Sequence, residues 1–308
     1  MKFTNTLLLA GLSIVVLAPA CKQRKLLSAT TKHFYILFDT TQKPQLISNQ
    51  FTFTEGPAAD KYGNVFFTDQ PDNKIWKYGT DGKLSLFMDK AGRSNGLYFD
   101  KKGNLIACAD EHNQLWSIDA KGKVTVLLKD LKGKRLNGPN DVWVAPNGGL
   151  YFTDPYYQRD YWAHKKSELN GEKVYYLAKG SSTPVVADGN LKQPNGIIGS
   201  ADGKYLYVAD IGDKKTYKYT INNDGSLTNR ILLINEGSDG MTLDERGNIY
   251  LTFGSVNIFD PTGKNIARIK VPEPWTANVC FGGKNRDVLF ITATKGIYTL
   301  KMNVKGDR

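Results

Sequence analysis

Asn137-Gly-Pro-Asn-Asp-Val-Trp-Val-Ala-Pro-Asn-Gly-Gly-Leu-Tyr-Phe-Thr-Asp154 reads as a strand, a tight turn and a second strand. Val142-Trp-Val144 and Leu150-Tyr-Phe-Thr153 are β-branched and aromatic runs, and Pro146-Asn147-Gly148 between them is hairpin chemistry, with Gly148 where the backbone needs a positive φ. A later strand follows at Lys173-Val-Tyr-Tyr-Leu177. The unit opens on Asn140, with the turn glycine eight residues on, and this pattern recurs along the chain. Glu55, Asn95, Asn140, Asn195, Asp239 and Asn278 each open a strand, and Gly63, Gly103, Gly148, Gly203 and Gly247 lie eight residues after the first five. Successive openers are 40, 45, 55, 44 and 39 residues apart. Self-similarity at that period, with several strands per unit, is the signature of propeller blades. The expected fold is all-β, a six-bladed β-propeller over residues 33–308 with a central divalent metal site.

Unit one repeats the scheme, with a turn at Asp60-Lys-Tyr-Gly63 and strands at Val65–Thr68 and Lys74–Tyr78. No segment of the body shows sustained apolar periodicity near 3.6, so helix should be scarce. The sixth unit shows only three strands, ending near Leu300. Phe34-Tyr-Ile-Leu-Phe38 has no unit of its own and is expected to supply the missing outer strand and close the ring.

Residues 1–20 read as a signal peptide: Lys2, an apolar run from Leu7 to Leu17, then Ala18-Pro-Ala20. Cys21 directly after it resembles a bacterial lipoprotein cleavage box, with residues 21–32 as a tether. Export is expected, to the periplasm or to a lipid anchor at Cys21. The anchored form would carry its acyl groups on Cys21 in the mature protein's mass spectrum, and an unmodified Cys21 there excludes it. Cys108 and Cys280 sit among apolar neighbours and are expected as free thiols, and no metal-thiolate spacing exists. The net charge of +11 comes mainly from Lys scattered in Lys-Gly turns, which reads as a solvated surface and not a nucleic-acid footprint. A monomer and a dimer are both compatible with the sequence.

In each unit the first two strands are antiparallel, so the start of the first and the end of the second share one edge. The six openers therefore ring one mouth of the central channel. Around it lie the segments that follow the second strands, including Asp69-Gln-Pro71, Asp110-Glu-His112, Asp154-Pro-Tyr-Tyr157 and Asp210-Ile-Gly212. The third of these is much the longest, from Pro155 to about Glu172, and reads as a lid or specificity wall carrying Tyr156, Tyr157, Arg159, Tyr161, Trp162 and His164. Glu55, Asn140, Asn195 and Asp239 form a hard-oxygen set that suits Ca2+, with Mg2+ or Mn2+ as alternatives and Zn2+ a poorer fit. Asn95 and Asn278 read instead as turn formers bonding their own backbone. His112 and His164 fall in mouth loops, where surface histidines are the default, and His112 is the better candidate of the two for contact with a ligand.

These residues carry a resemblance. Glu55-Gly-Pro57, Asn137-Gly-Pro-Asn-Asp-Val142 followed by Tyr151-Phe-Thr-Asp-Pro155, Gln193-Pro-Asn-Gly196 and Ser238-Asp-Gly-Met241 resemble the SMP-30/gluconolactonase family, as does Phe281-Gly-Gly283 with Leu289-Phe-Ile-Thr292. The resemblance covers roughly Phe51 to Leu300. It implies a six-bladed propeller with a central cation held by Glu55, Asn195 and Asp239, with Asn140 a fourth ligand or substrate contact and Asp239 also the general base. Animal members carry an Arg two residues before the position of Asn140, where this chain has Gly138, a difference that bears on the substrate more than on the reaction.

The implied reaction opens a sugar lactone. The cation polarises the carbonyl, Asp239 assists water attack and Asn140 donates a hydrogen bond, so Asp239 and Asn140 are the catalytic candidates. Asn137, Asn140, Tyr156, Tyr157 and His112 are the candidate substrate contacts. The rival readings are another ester or phosphotriester hydrolase on the same site, a non-enzymatic sugar- or ligand-binding lipoprotein, and a scaffold with a vestigial cation. No Gly-x-Ser-x-Gly elbow supports a serine nucleophile.

Overall fold

The computed structural model describes Met1 and residues 36–307, and the signal-peptide and tether readings fall outside these residues. The body, from Ile36 on, is one compact unit of six four-stranded antiparallel sheets. The only helical turn among the described residues is the short 3-10 segment Asp110–His112.

Five sheets take their strands in chain order: Thr54–Ala59 to Leu84–Asp89, Ser94–Phe99 to Val124–Leu128, Val142–Val144 to Val185–Asp188, Pro194–Gly199 to Leu227–Ile234, and Met241–Leu243 to Asn265–Ile269. The sixth, Asn278–Gly282, Val288–Ala293 and Gly296–Lys301, is completed by Gln45–Ser48 from the other end of the chain. Gln45 faces Thr299 and Leu46 faces Tyr298.

The ring is thus closed by an N-terminal strand as expected, but by residues 45–48 and not 34–38. An outermost strand is half exposed and tolerates the polar sequence Gln-Leu-Ile-Ser. The more apolar Leu37 and Phe38 are buried instead, in a cluster with Tyr250, Met302 and Val304, and Asn303 N donates to Leu37 O at 2.8 Å. Phe34 and Tyr35 lie outside the described residues.

The second strand of each blade is covered on both faces by its neighbours, so Val65–Asp69, Leu105–Ala109 and Leu150–Asp154 are buried at every residue. Apolar clusters bridge adjacent blades: Phe66 and Ile75 of blade one pack with Leu97 and Ala107 of blade two. Phe290 and Ile297 of blade six pack with Val65 and Phe67 of blade one. The hairpin glycines behave as their spacing implies, Gly63 having φ +87° and Gly148 φ +85°. Neither Cys108 nor Cys280 is in a disulfide, and Cys108 is fully buried.

Candidate active site at one mouth of the channel

The innermost strands converge so closely that there is no room for a Cβ after several of the openers. A Cβ on Gly56 would lie 2.1 Å from Asn95 O, on Gly96 2.6 Å from Asn140 O, on Gly196 2.7 Å from Asp239 O, and on Gly240 1.9 Å from Asn278 Cγ. Each glycine thus seats its blade against the next blade's opener. The pairing shifts register between Glu55 and Ala58, between Ser94 and Leu97, and between Pro194 and Ile197. These irregularities re-aim the side chains of Glu55, Asn95 and Asn195.

Glu55, Asn140, Asn195 and Asp239 line one cavity of about 300 Å3 with Tyr157 and Trp275. Asn95, read from the sequence as punctuation, lines it too. Asn278 does not. It sits deeper in the channel, where its Oδ1 accepts from its own Val279 N at 2.8 Å and its side chain bonds Asp141. A larger cavity of about 740 Å3 lies at the hairpin turns and contains none of the candidate residues.

Asp239 accepts from Trp275 Nε1 through Oδ2 at 2.7 Å and from Asn195 Nδ2 through Oδ1 at 3.0 Å. Asn195 Nδ2 also donates to the Tyr157 hydroxyl at 3.0 Å, while Asn195 Oδ1 is buried with no hydrogen-bond partner. Glu55 is buried and takes its own Gly56 N–H at 3.0 Å. Burial first, then repulsion from Asp239, pushes the Glu55 carboxyl well above the usual range. Burial pushes Asp239 up to about 6, against the hydrogen bonds from Trp275 and Asn195. Asp141, just below, is raised by burial to about 7.

The donor set fits a hard divalent cation. It presents a buried carboxylate, Glu55, and a part-buried one, Asp239, which desolvation and mutual repulsion disfavour, together with a carboxamide oxygen left without a donor. Among the described residues, no three His, Cys, Asp or Glu side chains gather as a metal cluster. The set at the mouth is mixed carboxylate and carboxamide.

The other candidates separate. Tyr157 lines the cavity, and burial raises its pKa, keeping the phenol protonated. Tyr156 turns away, its hydroxyl donating to Gln158 at 2.6 Å. Asn137 is absent from the cavity wall because its side chain is spent on the loop. Its Nδ2 donates to Asp154 O at 3.0 Å and Gly171 O at 3.1 Å, and its Oδ1 accepts from Ser167 Oγ. His112 stacks on Trp116 and faces a neighbouring surface cavity with His164. Of the proposed substrate contacts, only Asn140 and Tyr157 line the cavity.

The aspartates ending the second strands explain how the loop is held. Asp69 accepts Phe53 N at 3.0 Å, Asp154 accepts Asn137 N at 3.0 Å and Gly138 N at 2.9 Å, and Asp210 accepts Lys192 N at 2.7 Å and Gln193 N at 2.8 Å. Each staples the entry of its own blade's first strand. In blade two the 3-10 turn re-aims Asp110, whose Oδ2 accepts from Arg159 Nε at 3.1 Å and from the Tyr161 hydroxyl, while its backbone oxygen takes Trp162 Nε1 at 2.9 Å. Trp162 then covers Gly138, where a Cβ would lie 2.8 Å from the indole, so residue 138 cannot carry an arginine. The guanidinium in this cavity comes from Arg159. Sequence reading placed Arg159 on the long loop but gave it no role, and it missed Trp275. Neither residue belongs to the repeat.

A six-bladed propeller with an oxygen-rich cavity at one mouth, walled in part by one long loop, defines the class of protein. The sequence profile of the SMP-30/gluconolactonase/LRE-like region matches residues 53–295, and the chain belongs to that family. It is similar to the gluconolactonase of Zymomonas mobilis, 28% identical over 301 residues that cover 88% of this chain and 84% of that one. A solved gluconolactonase from Xanthomonas campestris superposes with a TM-score of 0.78 at 25% identity, covering 85% of this chain and 95% of the other. A calcium-binding regucalcin from Agrobacterium tumefaciens shares the fold, with a TM-score of 0.71 at 21% identity over 85% of this chain and 95% of that one.

Proposed function

We propose that the protein is a divalent-metal-dependent lactonase that opens a sugar lactone by water attack on its carbonyl. The observation that carries this reading is the buried Asn195 Oδ1 without a donor, beside the carboxylates of Glu55 and Asp239 in one small cavity. The gluconolactonases among its relatives support it.

Glu55, Asn195 and Asp239, with Asn140, would hold the cation, Ca2+ being the best match to an all-oxygen set that leaves positions for water. When bound, the cation supplies positive charge at the lactone carbonyl and lowers the pKa of nearby water. Asp239 receives the water proton. Its two oxygens are oriented by Trp275 and Asn195. A cation would lower the basicity of this carboxylate, and the acidity it lends to the water would offset that loss. Asn140 Nδ2 donates to the carbonyl or to a ring hydroxyl. The Tyr157 phenol, already accepting from Asn195, directs its own proton toward substrate. The rings of Trp275 and Phe53 form an apolar wall for the face of a sugar ring.

A screen of aldonolactones, aryl esters and phosphotriesters, followed by acid release at constant pH, tests the reading. Turnover is expected on aldonolactones. Turnover confined to phosphotriesters or aryl esters, or binding of lactone without release of acid, overturns it. Export, with Cys21 lipidated, belongs to the same proposal, and the mature N-terminal mass decides the anchor.

A further inference from the structure

Arg159 is the one cationic side chain lining the site cavity among the described residues. Its position is fixed from several sides. Asp110, with a side chain only 3% exposed, clasps Nε, and the guanidinium stacks over the Tyr157 ring at 5.4 Å. Tyr161 is fastened to the same Asp110 carboxylate and takes Arg93 against its ring at 4.6 Å. With Nε committed, the donors on Nη1 and Nη2 are left for the cavity, a planar fork suited to two adjacent oxygen atoms.

The arrangement departs from the repeat at a cost. In blades one, three and four the aspartate after the second strand staples its own blade, whereas Asp110 is withdrawn from that duty to hold the loop. Burial works against a charged Arg159, and Asp110 more than offsets it, so the guanidinium stays charged.

We infer that Arg159 is the specificity-determining residue of the site, its Nη edge gripping adjacent hydroxyl oxygens of a polyhydroxylated lactone. This deepens the lactonase reading and rests on it. The apolar wall accepts any lactone ring, and the reacting carbonyl is the same in all of them. Arg159 is what separates a sugar lactone from an unsubstituted one. Its removal therefore weakens recognition of the hydroxylated lactone.

The test compares glucono-1,5-lactone with δ-valerolactone, which keeps the ring and carbonyl but lacks hydroxyls, in wild type, Arg159→Met and Arg159→Lys. A charged hydrogen-bonding fork implies a loss of about 10- to 100-fold in kcat/KM for the hydroxylated lactone, mostly in KM. The same variants should change δ-valerolactone turnover by less than about threefold. Lys, which keeps the charge and lacks the fork, should recover part of the loss. Calcium titration should show affinity unchanged in Arg159→Met. Equal losses on both lactones, or weakened calcium binding, would mean that Arg159 only props the loop, and the proposal falls. If wild type turns over neither lactone, the lactonase reading itself falls, and this inference with it.

Discussion

Asp239→Asn is expected to lower kcat/KM for lactone hydrolysis by roughly 10³-fold, about 4 kcal/mol of transition-state stabilisation. Two functions disappear with one oxygen: the proton acceptor for attacking water, and one of the two negative charges holding the cation. The substitution should leave the fold intact. An asparagine at 239 can keep its oxygen on Trp275 Nε1, and a flip of the Asn195 carboxamide would then present the otherwise unpaired Oδ1 to the new amide. It also relieves the repulsion between Asp239 and Glu55. In chelator the variant should therefore melt no lower than wild type. Activity within tenfold of wild type would remove Asp239 from the mechanism, and a collapse in melting temperature would show the residue to be structural.

Chelation should abolish turnover in the wild type, and restoring Ca2+ should recover it. The same cation should raise the melting temperature in chelated protein. At a hundredfold excess over Kd, a ligand specific to the folded state adds about 2.7 kcal/mol. For a domain of this size that corresponds to a rise of roughly 5–10 °C. The increment should depend on pH with a definite sign. In the absence of metal both site carboxyls are raised, Asp239 to about 6 and Glu55 well above its ordinary value. A carboxyl raised in the folded state favours folding while protonated, and that contribution is lost as pH rises through the folded pKa. The metal-free protein should thus lose stability as pH climbs through about 6, where a cation, needing the ionised carboxylates, gains most. The calcium-dependent rise in melting temperature should grow from pH 5 to pH 7. A rise that is flat or shrinking over that interval would mean that calcium binds elsewhere.

The blades were legible because the chain writes the same physical demand six times. The glycine after Glu55, Asn95, Asn195 and Asp239 is present because the innermost strands leave no space for a side chain, and the glycine eight residues after the opener because the hairpin needs a positive φ. Antiparallel order then places Glu55, Asn140, Asn195 and Asp239 at one mouth, and the cavity contains all four. What the sequence could not show lies off the repeat. Asn137 looks like a substrate contact in its motif, but its side chain is consumed by three partners brought together by the folded loop. Arg159 and Trp275 reach the cavity through the path of non-periodic segments, and no local pattern encodes that path. Asn95 is the opposite case. Its local sequence is that of a turn, and only the ring of neighbours makes it a wall of the cavity. The closing strand followed the same logic: Leu37 and Phe38 look more strand-like than Gln45–Ser48, but an outer edge wants the polar segment and the core takes the apolar one.

The pairing of Gln45–Ser48 with Gly296–Lys301 has a kinetic consequence. Every other blade can assemble from contiguous chain, but blade six unites the first and last strands of the described residues, so its closure spans the longest loop among the six sheets. Contacts of that sequence separation form late and slowly. Five blades can form before Gly296–Lys301 is available, but the ring, and with it the mouth that gathers Glu55 and Asp239, is completed only when that strand meets Gln45–Ser48.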